Sequence, residues 1–143
     1  MKSIFIILSL FTSLSVIADC ITIKGNTYCG KGSCVELNGN AYCSNQINGQ
    51  AVIHDNAAYC GAGKCIVSKG NVYCSQFPGG GIIENNKSIW TGPGECIKHN
   101  GNAFCSNEQG GKCVVTNGSI KCVGGWVREL AERASKCERA PKI

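Results

Sequence analysis

The sequence predicts an all-β fold, a disulfide-rich array of about seven tandem antiparallel β-hairpins closed by one C-terminal amphipathic helix. Three observations predict it. Most of the twelve cysteines fall in pairs with eight residues between them, a turn dipeptide rich in Gly and Asn lies midway between the members of a pair, and the whole pattern recurs about every 31 residues. Average strands are short and sheets need turn signals at regular spacing, which this chain supplies throughout.

The chain opens on Lys2 and an apolar run from Ile4 to Phe11, followed by Val16, Ile17 and Ala18. A basic start, a short apolar stretch and small or aliphatic residues before Asp19 predict a cleavable signal peptide over residues 1–18. The run is too short for a membrane anchor and meets Asp19 and Cys20 rather than a basic stop-transfer segment. All twelve cysteines lie beyond it, so export and cysteine usage agree on an oxidising compartment, secreted or periplasmic. After loss of Lys2 the chain carries thirteen Lys and Arg against nine Asp and Glu, a net of +4 with no basic block. So mild an excess speaks for solubility rather than nucleic-acid binding.

The repeat domain is expected over residues 19–123. Its units read CITIKGNTYC from Cys20, CVELNGNAYC from Cys34, CIVSKGNVYC from Cys65, CIKHNGNAFC from Cys96 and CVVTNGSIKC from Cys113. Two degenerate copies, AVIHDNAAYC from Ala51 and GIIENNKSIW from Gly81, complete the series. The central dipeptides Lys24-Gly25, Asn38-Gly39, Asp55-Asn56, Lys69-Gly70, Asn85-Asn86, Asn100-Gly101 and Asn117-Gly118 suit two-residue type I′ turns, whose central positions both take positive φ. With such a turn, each first cysteine lies directly across the ladder from its mate, in a non-hydrogen-bonded pair whose close approach suits a disulfide. The bonds expected are Cys20–Cys29, Cys34–Cys43, Cys65–Cys74, Cys96–Cys105 and Cys113–Cys122, with the leftover Cys60 joined to Cys137. A rival scheme links neighbouring hairpins, as in Cys29–Cys34, and the sequence does not exclude it.

Alternation places the cysteines on one face and an aliphatic–aromatic pair on the other: Ile21 with Tyr28, Val35 with Tyr42, Val52 with Tyr59, Ile66 with Tyr73, Ile82 with Ile89 and Ile97 with Phe104. Such pairs contribute about 0.2–1 kcal/mol each. Disulfides must therefore carry much of the stability, at roughly 2–4 kcal/mol apiece and less for loops this small.

Residues 124–143 differ in kind. After Gly124 and Gly125, the apolar positions Trp126, Leu130, Ala134 and Cys137 and the charge pairs Glu129–Arg133 and Glu132–Lys136 predict an amphipathic helix over 126–138 that caps the open end of the array.

No catalytic residue, no metal and no cofactor is expected. Zinc sites bring cysteines in close pairs, and only the C-x4-C spacings at Cys29–Cys34 and Cys60–Cys65 approach that; a metal-binding or redox protein is a lesser alternative. His54 and His99 share one register beside a turn, where solvated side chains are the plain explanation. Serine-hydrolase, zincin and P-loop motifs are missing. The tyrosines would form a stripe if the hairpins stack in register, either as core or as a surface for sugar rings or an extended peptide.

The most defective unit, GIIENNKSIW, lacks both cysteines and puts Trp90 at a cysteine position beside a Gly- and Pro-containing loop. Ile89, Trp90, Thr91 and Pro93 are the candidate partner-binding residues. The function expected is that of an exported, non-enzymatic binding or structural module with a protein or glycan partner outside the cytoplasm, no nucleic acid and no stable membrane insertion. The alternative is a secreted protease inhibitor or toxin-like defensive factor.

Overall fold

The computed structural model describes residues 19–143, so the expected signal peptide lies outside the described residues. Seven hairpins follow in order: β1 (Asp19–Ile23) with β2 (Asn26–Gly30), β3 (Cys34–Leu37) with β4 (Asn40–Cys43), β5 (Ala51–His54) with β6 (Ala57–Cys60), and β7 (Cys65–Ser68) with β8 (Asn71–Cys74). β9 (Gly81–Asn85) then pairs with β10 (Ser88–Gly92), β11 (Cys96–His99) with β12 (Asn102–Ser106), and β13 (Cys113–Thr116) with β14 (Ser119–Cys122). Each turn holds two residues of positive φ, for example Asn38 at 51° and Gly39 at 80°, as the type I′ geometry demands.

The hairpins pack face to face, with the first strands of successive hairpins side by side. The aliphatic–aromatic face of one hairpin covers the cysteine face of the next. Cys34 Sγ lies 3.2 Å from the Asp19 carbonyl oxygen between the first and second hairpins, and Ser68 Oγ donates to Glu84 Oε1 at 2.9 Å between the fourth and fifth. Close approach requires small residues: a Cβ on Gly30, Gly61 or Gly92 would collide with the Cβ of Cys43, Cys74 or Cys105 in the next layer. Three buried serines, Ser44, Ser75 and Ser106, recur at the same place and accept from the backbone N–H two residues on. Along the turn tips, His54 and His99 Nε2 sit 3.3 and 3.2 Å from the carbonyls of Gly70 and Gly118, and Asn85 Nδ2 donates to Gly101 O at 2.9 Å. The two histidines thus bridge neighbouring turns.

All twelve cysteines are paired, in the bonds Cys20–Cys29, Cys34–Cys43, Cys65–Cys74, Cys96–Cys105, Cys113–Cys122 and Cys60–Cys137. The five local bonds have Cα separations of 3.9–4.0 Å, closer than the ~4.5 Å of an unbridged, directly opposed non-hydrogen-bonded pair.

The expected C-terminal helix is corrected. Residues 126–143 run extended, back along the stack, as β15 (Trp126–Val127), β16 (Glu129–Leu130), β17 (Glu132–Arg133) and β18 (Ser135–Lys136), pairing in turn with β12, β10, β8 and β6. Single bridges then join Arg139 to Tyr42 and Lys142 to Tyr28. The physical reason is a match of two lengths. Stacked sheets lie ~10 Å apart and an extended chain rises ~3.3 Å per residue, so three residues span one layer. The second strand of each hairpin has an outer edge whose carbonyls need donors. The amides of Ala131, Ala134, Cys137, Ala140 and Ile143 supply them, bonding Ile89, Val72, Ala58, Ala41 and Thr27 at 2.9–3.0 Å. An isolated helix of this length would be marginal in water. Trp126 and Leu130, read as its apolar stripe, are instead 51% and 62% exposed, and the last hairpin keeps Val114 and Val115 exposed.

A second correction concerns the fifth hairpin. Its turn is Asn86-Lys87, with φ of 49° and 65°, not Asn85-Asn86. Ile83 therefore faces Trp90, and Ile82 faces Thr91, rather than Ile82 facing Ile89. Trp90 takes the aromatic column and Thr91 the cysteine column. Counting 31 residues on from Asp55-Asn56 and Tyr59 leads to the same positions.

Candidate binding surface along the tail

The four residues singled out as a partner-binding loop are drawn into the stack. Thr91 is fully buried and Ile89 is 7% exposed, with Trp90 and Pro93 half-buried. Thr91 Oγ1 lies 2.6 Å from Ser75 Oγ and donates to the Gly81 carbonyl at 2.5 Å, so hydroxyl bonds replace the disulfide of the other hairpins. The indole of Trp90 is occupied by the chain itself. The Arg128 guanidinium carbon stands 5.7 Å from the Trp90 ring centroid, 5.7 Å from that of Phe104 and 5.3 Å from that of Trp126, distances at which a cation is drawn to the aromatic quadrupole. Phe104 and Trp126 meet edge to face at 5.0 Å, and Arg128 Nη1 donates to the Ala103 carbonyl at 3.1 Å. Arg128 thus fastens the start of the tail.

Beyond Arg128 the tail has three rows. The inward row is Ala131, Ala134, Cys137 and Ala140, all half-buried, small enough for the backbone to approach the hairpin edge. A second, exposed row is Arg133, Lys136, Arg139 and Lys142, each the register partner of a tyrosine: Tyr73, Tyr59, Tyr42 and Tyr28. A third is acidic or polar: Glu129, Glu132, Ser135 and Glu138. The four tyrosines are half-buried, and no hydrogen bond engages their hydroxyls.

Beside the tail lie two open hollows, of about 390 and 430 Å³, that share Cys43, Ser44, Asn45 and Glu138 and so form one groove over successive layers. Its far wall is built by connector residues, among them Lys31, Gln46 and Gln76. Cys60 and Cys137 line its middle. The chain matches no known family model, no curated protein and no solved structure.

Among the described residues no group of three or more His, Cys, Asp or Glu is placed to hold a metal ion, and no cysteine is free. No helix of the described residues is long and apolar enough to cross a membrane. Neither the cation row nor the Arg128 site follows from the helical spacing expected for the tail. A signal existed: Ala131, Ala134 and Ala140, with Cys137 between, repeat every third residue, as do Arg133, Lys136, Arg139 and Lys142. A helix does not repeat at three.

Proposed function

We propose that the protein is an exported, disulfide-stabilised scaffold that acts without catalysis, binding an extended partner along the tail side of the hairpin stack. The observation that carries this reading is the groove beside the tail, which continues from layer to layer instead of closing into a pocket. Ligand pockets of enzymes are typically concave and mostly enclosed. Repeat stacks characteristically use long surfaces of this kind for binding. Six disulfides in a chain this short are consistent with an oxidising extracellular environment.

The secreted protease inhibitor is separated by one experiment. The oxidised, purified protein is incubated with a panel of proteases and also passed over glycan and peptide arrays. A binding scaffold resists digestion, leaves protease activity intact and captures an extended ligand. Stoichiometric inhibition of a protease, with no array binding, would overturn the reading.

A further inference from the structure

We infer that the row Arg133, Lys136, Arg139 and Lys142, with the tyrosines opposite it, is a binding ladder for a linear acidic glycan, a polysaccharide carrying carboxylate or sulfate groups at intervals. The inference rests on the reading above and names its ligand.

Four observations meet on one line. The cations stand one per layer, so consecutive members are separated by ~10 Å along an extended chain and the whole ladder spans ~30 Å. All four are exposed, and no ion pair engages them among the described residues. Each is paired in register with Tyr73, Tyr59, Tyr42 or Tyr28, whose hydroxyls make no hydrogen bond in the protein and are not buried. Beside them the groove presents the amide side chains of Asn45, Gln46 and Gln76. Cations neutralise carboxylate or sulfate through charge-assisted bonds. Phenol hydroxyls and amides, each both donor and acceptor, suit sugar hydroxyls.

The charge arrangement restricts where such a ligand lies. Glu132 and Glu138 also line the groove, so a polyanion displaced toward their row is repelled, and only a chain following the cation row is favoured. Single-stranded nucleic acid is the other polyanion to consider, but it binds on open aromatic faces that stack its bases. Here the tyrosines are half-buried and belong to the face that packs on the next layer.

The test uses the oxidised full mature protein and measures binding of size-fractionated sulfated and polyuronate oligosaccharides by calorimetry, with neutral glycans and single-stranded DNA alongside. Two variants carry equal charge changes. One is R133S/K136S/R139S/K142S; the other removes four exposed lysines elsewhere, K64S/K98S/K112S/K121S. Retention of six disulfides and of the β-type circular dichroism shows that each has folded. The ladder variant is expected to lose about tenfold or more in affinity for acidic glycan, since four exposed charge contacts each contribute a few-fold. The control variant is expected to lose less than about threefold on the same scale. Affinity should rise with oligosaccharide length until the chain spans ~30 Å. Equal losses in the two variants, no length dependence, or DNA binding as tight and as ladder-dependent would overturn the inference. Capture of a neutral glycan or a peptide but no acidic glycan would overturn it too, while leaving the scaffold reading in place. Binding of nothing, together with protease inhibition, would remove both.

Discussion

A methyl group added at Gly61 has nowhere to go, because the Cβ of Cys74 in the next layer already occupies the space. The cysteine is held by its bond to Cys65, so the neighbour cannot move aside. Gly61→Ala should therefore destabilise the protein by about 1–3 kcal/mol, as overpacking of a fixed core does. Gly70 makes the contrast: its φ is 77° and nothing lies within 4 Å of an added Cβ. Gly70→Asn should cost under about 1 kcal/mol, since Asn tolerates the left-handed region. Denaturant unfolding of the two variants with disulfides intact checks the order; a larger loss at Gly70 would mean the layers are not in this contact. The difference also shows what single residues disclose. Turn glycines are legible in a sequence because their requirement is local, a positive φ between two strands. The requirement at Gly61 exists only after a second hairpin has been laid on the first, and nothing within the CGAGKC connector states the distance between layers.

Whole elements were legible where local chemistry and the repeat gave the same answer, and illegible where they diverged. Six of the seven turns sit where their Gly or Asn residues point. The fifth hairpin diverges: two asparagines at Asn85 and Asn86 suggest one register, while stacking demands the other, which places Trp90 among the tyrosines at the cost of a lysine, Lys87, at φ 65°. Because Ile82 and Thr91 are directly opposed, I82C/T91C should form a seventh disulfide, giving an oxidised mass with no alkylatable thiol. I82C/I89C, the pair opposed by an Asn85-Asn86 turn but diagonal in the observed register, should leave two. The tail diverges further. Its apolar positions approximate a helical stripe and its Glu–Lys and Glu–Arg spacings favour a helix, but the hairpin edge offers acceptors at every third residue and the tail's small residues fit that period. Amide exchange separates the two forms. Ala131, Ala134, Cys137 and Ala140 should be protected, while the amides of Arg133 and Lys136, which alternate away from the edge, should exchange freely. A helix would instead protect an unbroken run.

At the scale of the molecule, two kinds of bond hold the structure and they respond differently to reduction. Five disulfides close loops with a sequence separation of 9, whose turns and ladders keep the two thiols opposed even when the bond is open. Cys60–Cys137 spans 77 residues, and its thiols are held together only while the tail remains docked. Loop-closure entropy grows with length, so opening the long loop releases more freedom and lowers the effective concentration for re-closure. Access points the same way. Cys60 and Cys137 are both only half-buried and line the groove, whereas Cys43, Cys74, Cys105 and Cys113 are at most 6% exposed, which shields one sulfur of four of the local bonds. Graded reduction followed by alkylation and peptide mapping should label Cys60 and Cys137 first, with the tail amides losing protection at the same step and the five local bonds intact. Cys20–Cys29 is the serious competitor, since neither of its cysteines is buried and its hairpin stands first among the described residues. If that bond opens first, exposure outweighs loop length, and the tail is not the element on which the stability of the assembled stack turns.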